Sequence, residues 1–151
     1  MKISLALIQP ARTKARSTSA ETLALEYIAR AARYAPCIAT TCASESALLT
    51  QLERQAARTA PVLILLDSRG KGLTSEAIAA HLRTLQDSGV QSLVFAVGPA
   101  DGWTDAARAR ADLLLSLGPI TLPHELARAV LAEQIYRALT ILAGHPYHSA
   151  H

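Results

Sequence analysis

Three segments of this sequence join the end of an apolar run to one or more glycines, a pattern typical of ligand-binding turns. They are LLDSRGKG, AVGPADGW and LSLGPITLP. Gly98, Gly102 and Gly118 would let the backbone approach a ligand closely. The third segment is unusual because its loop, Leu117 to Leu122, is apolar. Backbone groups set between aliphatic side chains suit a flat aromatic ligand such as adenine. Neither a P-loop nor a GxGxxG motif occurs, so the pattern does not predict a phosphate cradle.

The surrounding pattern predicts alternating strands and helices. Strands are expected at Lys2 to Ile8, CIATTC, Val62 to Leu66, SLVFAVG and DLLLSL. Helices are expected to follow a cap at Ser19 or Thr18 and run to about Arg33, to follow a cap at Ser44 and run to about Arg58, and to follow a cap at Thr74 or Ser75 and run towards Gly89. Two more are expected from Thr104 to Arg110 and from Pro123 to about Ala143. SRGKG is expected to be a turn. This alternation predicts an α/β fold, a mostly parallel sheet with helices on both faces. All three glycine-containing segments follow strands, so they should meet at the carboxyl edge, where such sheets bind ligands.

Length and composition predict a single domain over residues 1–151. The net charge is +3 and the pI about 9.1, which favours a polyanionic partner slightly. Cys37 and Cys42 lack the partners of a structural zinc site and are interpreted as reduced thiols. The start of the sequence does not resemble a signal peptide, and no apolar stretch is long enough to span a bilayer. We therefore expect a soluble cytoplasmic protein.

Several cations are candidates for contacts with nucleic-acid phosphates. They are Arg12, Lys14 and Arg16 near the start and Arg128 and Arg137 in the last helix. The alternative for each is an ordinary solvated charge. Glu133 and Arg137, four residues apart, could also be a simple helix pair.

Histidines recur at every third position near the end of the chain, at His145, His148 and His151. Pro146 interrupts this series, and the tail beyond Gly144 is not expected to be helical, so we predict no metal site.

Four blocks carry a more specific signal: LLDSRGKGLTSE, FAVGPADGW, LSLGPITLPHELARAVLAEQIYRA and GHPYH. Their order and spacing resemble the RlmH-type large-subunit rRNA pseudouridine-N3 methyltransferases of the SPOUT superfamily. The resemblance covers most of the chain. It implies a C-terminal trefoil knot that binds S-adenosylmethionine, and a homodimer that acts on large-subunit rRNA in the assembled ribosome. Carried over by motif, the cofactor contacts are Leu66, Gly98, Leu117, Gly118, Pro119, Ile120, Thr121 and Leu122.

The resemblance also implies a role for the tail. N3 of the pseudouridine must lose a proton, and the imidazole of His148, next to Tyr147 in the block GHPYH, is the candidate that accepts it. Tyr147 could stack on a base. These two residues are our catalytic candidates, and the cofactor pocket is the surface expected to hold them.

The sequence departs from the family at Pro99, where a second glycine is usual, and at Ser149, where a cation is usual. These departures motivate one alternative, a knotted cofactor-binding module without transfer activity. A separate alternative is a related methylase that acts on tRNA.

Overall fold

Five parallel strands form one central sheet in the computed structural model, which describes residues 1–10 and 18–149. The strand order is β2-β1-β4-β3-β5, and every neighbouring pair is parallel. The strands are β1 (Lys2–Ile8), β2 (Cys37–Cys42), β3 (Val62–Gly72), β4 (Ser92–Val97) and β5 (Leu113–Ser116). The helices are α1 (Ser19–Ala31), α2 (Glu45–Ala56), α3 (Ser75–Asp87), α4 (Asp105–Arg110) and α5 (His124–Leu142). The predicted α/β class is confirmed.

Helices cover both faces of this sheet, as predicted. Side chains that alternate along the strands point to opposite faces, and they form two separate apolar clusters. Leu93 and Phe95 of β4 join the cluster that contains α1, α3 and α5. Val94 and Ala96 of the same strand join the cluster that contains α2 and α4. All six residues of β4 are therefore buried, and α4 and α5 lie on opposite sides of the sheet.

Four of the helices begin after a Ser or Thr cap: Thr18, Ser44 and Thr74 are predicted caps, whereas Thr104, predicted as the first helical residue, is the cap itself. A hydroxyl oxygen of Thr18, Ser44, Thr74 or Thr104 accepts a hydrogen bond from a backbone N–H in the first turn of its helix. Such caps satisfy donors that have no partner inside the helix. In α5, Pro123 precedes the helix and offers no side-chain cap. The prediction of Pro123 as the first helical residue is therefore off by one position.

Two expectations about irregular segments are wrong. SRGKG is not a turn, because β3 continues through it to Gly72. The tail is not free of helical structure, because Pro146–Ser149 form one turn of 3₁₀ helix. Such a turn needs only i to i+3 spacing and tolerates proline at its start, so Pro146 does not prevent it. None of the helices in the described ranges is long and apolar enough to cross a membrane.

The extension of β3 crosses β5 at very short range. Leu115 of β5 pairs with both Leu66 and Lys71 of β3. The strand β3 therefore leaves the ladder after Leu66 and rejoins it at Lys71. A Cβ atom at Gly70 would lie 2.6 Å from the carbonyl carbon of Leu114 and 2.7 Å from that of Leu115. Glycine is required there because the neighbouring atoms are backbone and cannot move aside.

We predict that Gly70→Ala destabilises the fold, because the added methyl group must push two chain segments apart. The expected loss in the free energy of unfolding is about 1–3 kcal/mol, the usual range for overpacking. Gly72→Ala is the matched control, since a Cβ atom there meets nothing within 4 Å. Chemical denaturation of both variants checks this. Equal stability of the two would contradict the close crossing.

Candidate functional site

A cavity of about 460 Å³ opens at the carboxyl edge of the sheet. Ligand pockets commonly have volumes of about 300–1,000 Å³. Three connections border it: the residues after β3, the segment between β4 and α4, and the loop between β5 and α5. The glycine-containing segments therefore meet at one edge, as the strand pattern predicted. The lining contains all eight residues that the resemblance assigned to the cofactor: Leu66, Gly98, Leu117, Gly118, Pro119, Ile120, Thr121 and Leu122. That they bind a cofactor stays a prediction.

The loop after β5 owes its shape to two local features. Gly118 has a φ of +115°, a conformation that side chains disfavour. The Ser116 hydroxyl accepts a hydrogen bond from the Gly118 N–H at 3.2 Å and donates one to its carbonyl at 3.1 Å. The loop also leaves Ile120 69% exposed, more than the other large hydrophobic residues of the described chain. An uncovered apolar side chain at the mouth of a cavity is suited to contact with a ligand or a partner.

Trp103 forms a wall of the cavity that the sequence analysis did not assign. The residue is 5% exposed, and its indole N–H donates to the Leu66 carbonyl at 2.9 Å. A Cβ atom at Gly98 would lie only 2.8 Å from this ring. Gly98 therefore makes room for Trp103. That its missing side chain also lets a ligand approach closely stays a prediction. As the only tryptophan of the chain, Trp103 could have been noticed in the second glycine-containing segment.

A buried ion pair borders the same cavity. The side chain of Asp67 is 4% exposed; one carboxylate oxygen accepts from the Arg69 backbone N–H at 2.8 Å and the other from Arg108 Nε at 2.7 Å. Burial raises the pKa of Asp67, but these two hydrogen bonds and the arginine charges outweigh burial and leave it below its usual value. Asp67 is therefore ionised at neutral pH. Sequence reasoning missed the pair because the two residues are 41 positions apart.

The tail does not lie in the cavity of its own chain, which corrects the expected position of Tyr147 and His148. The ring of Tyr147 packs edge-on against Tyr136 of α5 at 4.7 Å, and its hydroxyl donates to Glu133 at 3.1 Å. Burial, with neighbouring Tyr27 and Glu133, raises the pKa of Tyr147, so the phenol stays protonated. His148 Nδ1 lies 2.8 Å from the His145 carbonyl. The tail instead folds back along α5.

The predicted phosphate contacts have mixed outcomes. Arg128 is not on the surface as expected: it is 4% exposed, and its Nε has no hydrogen-bond partner among the described residues. Arg137 forms the predicted helix pair with Glu133, at 2.7 Å, and stacks on the ring of Tyr147. Arg12, Lys14 and Arg16 lie outside the described residues. Phosphate binding by any of these cations stays a prediction.

Comparison with known proteins places this chain among methyltransferases. Residues 1–148 match a family described as predicted SPOUT methyltransferase. A protein of Koribacter versatilis named ribosomal RNA large subunit methyltransferase H is 49% identical over 138 residues, which are 91% of this chain and 94% of the relative. A protein of Rhizobium meliloti with the same name is 58% identical over 89 residues, 59% of this chain and 56% of the relative.

Solved structures show the same fold. The SpoU methyltransferase AviRb of Streptomyces viridochromogenes, in complex with the cofactor AdoMet, superposes with a TM-score of 0.51 at 15% identity. A second structure of AviRb gives a TM-score of 0.53 at 17% identity. The match covers 95% of this chain in both cases but only 59% and 61% of AviRb. At this level of identity, the likeness establishes the shared fold alone.

Proposed function

Because the chain belongs to the SPOUT methyltransferase family, we propose that it transfers a methyl group from S-adenosylmethionine to N3 of a pseudouridine in large-subunit rRNA. The observation that carries the proposal is the cavity at the carboxyl edge, which gathers all eight predicted cofactor residues from three separate segments. The relative from Koribacter versatilis, similar over nearly its whole length, supports the choice of rRNA. The proposal places the protein in the cytoplasm, with the ribosomes.

The cavity suits the proposed cofactor in size and in lining. Leu66, Gly98 and the loop from Leu117 to Leu122 would hold it, and the apolar loop would take the adenine ring. When bound, S-adenosylmethionine supplies an electrophilic methyl group on a sulfonium. The protein's task is chiefly to hold the acceptor nitrogen in line with that group and to exclude water. The trefoil knot belongs to the same proposal, and the close crossing of Gly70 over β5 supports it.

The proposed acceptor must also lose its N3 proton. His148 is our candidate for accepting it, because imidazole takes protons near neutral pH. Tyr147 would stack on the base, but its ring and hydroxyl are engaged by Tyr136, Arg137 and Glu133. In one isolated chain, then, neither tail residue faces the cavity that would hold the methyl donor.

A homodimer would resolve this separation, with the tail of one subunit serving the cavity of the other. Surface features around α1 and α5, which pack together, support this part of the proposal. Leu23 and Leu25 of α1 and Leu126 of α5 are 42%, 46% and 43% exposed. Ile120 lies in the loop just before α5. Buried Arg128, whose Nε has no hydrogen-bond partner within residues 1–10 and 18–149, would sit close to such an interface. Exposed apolar side chains of this kind mark interaction surfaces.

We predict that rRNA from a strain lacking this gene loses one methyl group from a modified pseudouridine of the large subunit. Mass spectrometry of nuclease fragments measures this. The wild-type gene should restore the methyl group, and a gene truncated after Ala143, which lacks the tail, should not. An unchanged rRNA with a methyl group missing from tRNA would favour the tRNA methylase. Full methylation of both RNAs in the deletion strain would favour a binding module.

The dimer proposal predicts that two inactive variants complement each other. Gly98→Val blocks the cavity by displacing Trp103, and truncation after Ala143 removes the tail. Each homodimer should be folded and inactive. After random pairing, about half of the dimers are mixed, and each mixed dimer should keep one complete site out of its two. Activity should therefore recover to about a quarter of the wild-type level. Circular dichroism of each variant is the control for folding. No recovery from two folded variants would show that each chain works alone.

A further inference from the structure

The cavity has two chemically different sides. The loop from Leu117 to Leu122 leads into α5, on one face of the sheet, and presents apolar side chains and backbone groups. Arg108 and Asp67 border the cavity from the side of α4, which lies on the opposite face. An adenine ring in the apolar loop would therefore leave the rest of the cofactor to extend towards the charged side.

Arg108 is held so that part of its guanidinium group stays available. Its Nε donates to buried Asp67 at 2.7 Å, which fixes one edge of the group. Its Nη1 makes only a long contact of 3.3 Å with Asp105, a side chain that is 99% exposed and so loosely held. Its Nη2 donates to no partner among the described residues. This atom lies 3.8 Å from where a Cβ atom of Gly102 would be, and Gly102 lines the cavity.

We propose that Arg108 binds the α-carboxylate of the cofactor's amino-acid end, while Asp67 orients the guanidinium group. This inference rests on the proposed function, since it concerns the same cavity. A planar guanidinium matches a carboxylate through two parallel hydrogen bonds. The Nη1–Nη2 edge offers both donors once the exposed Asp105 moves aside. Arg108 should therefore strengthen the binding of ligands that carry the amino-acid end, relative to ligands that lack it.

One other group at the cavity could attract a carboxylate. The first turn of α5 has no side-chain cap, and its free N–H groups carry partial positive charge. Pro123 and His124 at this helix start line the cavity on the side of the apolar loop. The two positions are on opposite faces of the sheet, so a substitution at Arg108 separates them.

The test compares two ligands on one variant. S-adenosylhomocysteine carries the carboxylate, whereas 5′-methylthioadenosine has the same adenosine and sulfur but lacks it. Arg108→Gln should weaken the binding of S-adenosylhomocysteine about 10- to 100-fold, the range for a lost charged hydrogen bond, and leave methylthioadenosine within about threefold of the wild type. Arg110→Gln is the matched control, since Arg110 is on the same helix and pairs with Asp112 outside the cavity. It should change neither affinity.

Calorimetric titration gives the affinity of each variant for each ligand. An equal loss for both ligands in Arg108→Gln would overturn the proposal and make Arg108 a support of the cavity wall. Unchanged binding of S-adenosylhomocysteine would also overturn it, in favour of the start of α5. Arg108→Lys, which keeps the charge without the paired donors, should recover only part of the lost affinity. If the wild-type protein binds neither ligand, the proposed function itself fails, which is a distinct result.

Discussion

The contact on which the site depends is the double pairing of Leu115 with Leu66 and Lys71. Between these two pairs β3 separates from β5 and then pairs with it again. At Gly70 the backbones of β3 and β5 lie so close together that a side chain has no room. Just after Leu66, the buried Asp67 lies at the carboxyl edge of the sheet, where it lines the cavity. Two of the three segments around the cavity are thus fixed relative to each other by backbone contacts, which hold positions more firmly than flexible side chains. A ligand would meet a cavity that is already formed, and preorganisation of this kind lowers the entropic cost of binding.

Trp103 ties the third segment to the other two. Its indole nitrogen donates to the Leu66 carbonyl, and its ring fills the space that a side chain at Gly98 would take. Arg108 follows one helical turn after the Thr104 cap and reaches back to Asp67. The segment between β4 and α4 is therefore held by one aromatic ring and one ion pair, both directed at the end of β3. Glycine at position 98 is explained by the protein's own packing, without any ligand.

Much of this architecture follows from sequence pattern. The uninterrupted apolar runs at β3 and β4 predict strands covered on both faces, and Ser or Thr before four helices predicts where they begin. The meeting of three glycine-containing segments follows from the parallel order. What the sequence could not give were contacts between distant residues: Asp67 with Arg108, Trp103 with Leu66, and the tail with α5. SRGKG looked like a turn because glycines usually mark turns, whereas here Gly70 permits a crossing of two chain segments.

The central claim is that the cavity at the carboxyl edge is the methyl-donor site, and its single tryptophan offers the most direct measurement. Trp103 is the only tryptophan in the chain and lines the cavity, so its fluorescence reports on that place alone. Titration with S-adenosylhomocysteine should change the emission in a saturable way, with one ligand per chain and the same affinity as calorimetry gives. Binding detected by calorimetry with no change in the emission of Trp103 would place the ligand elsewhere and contradict the account.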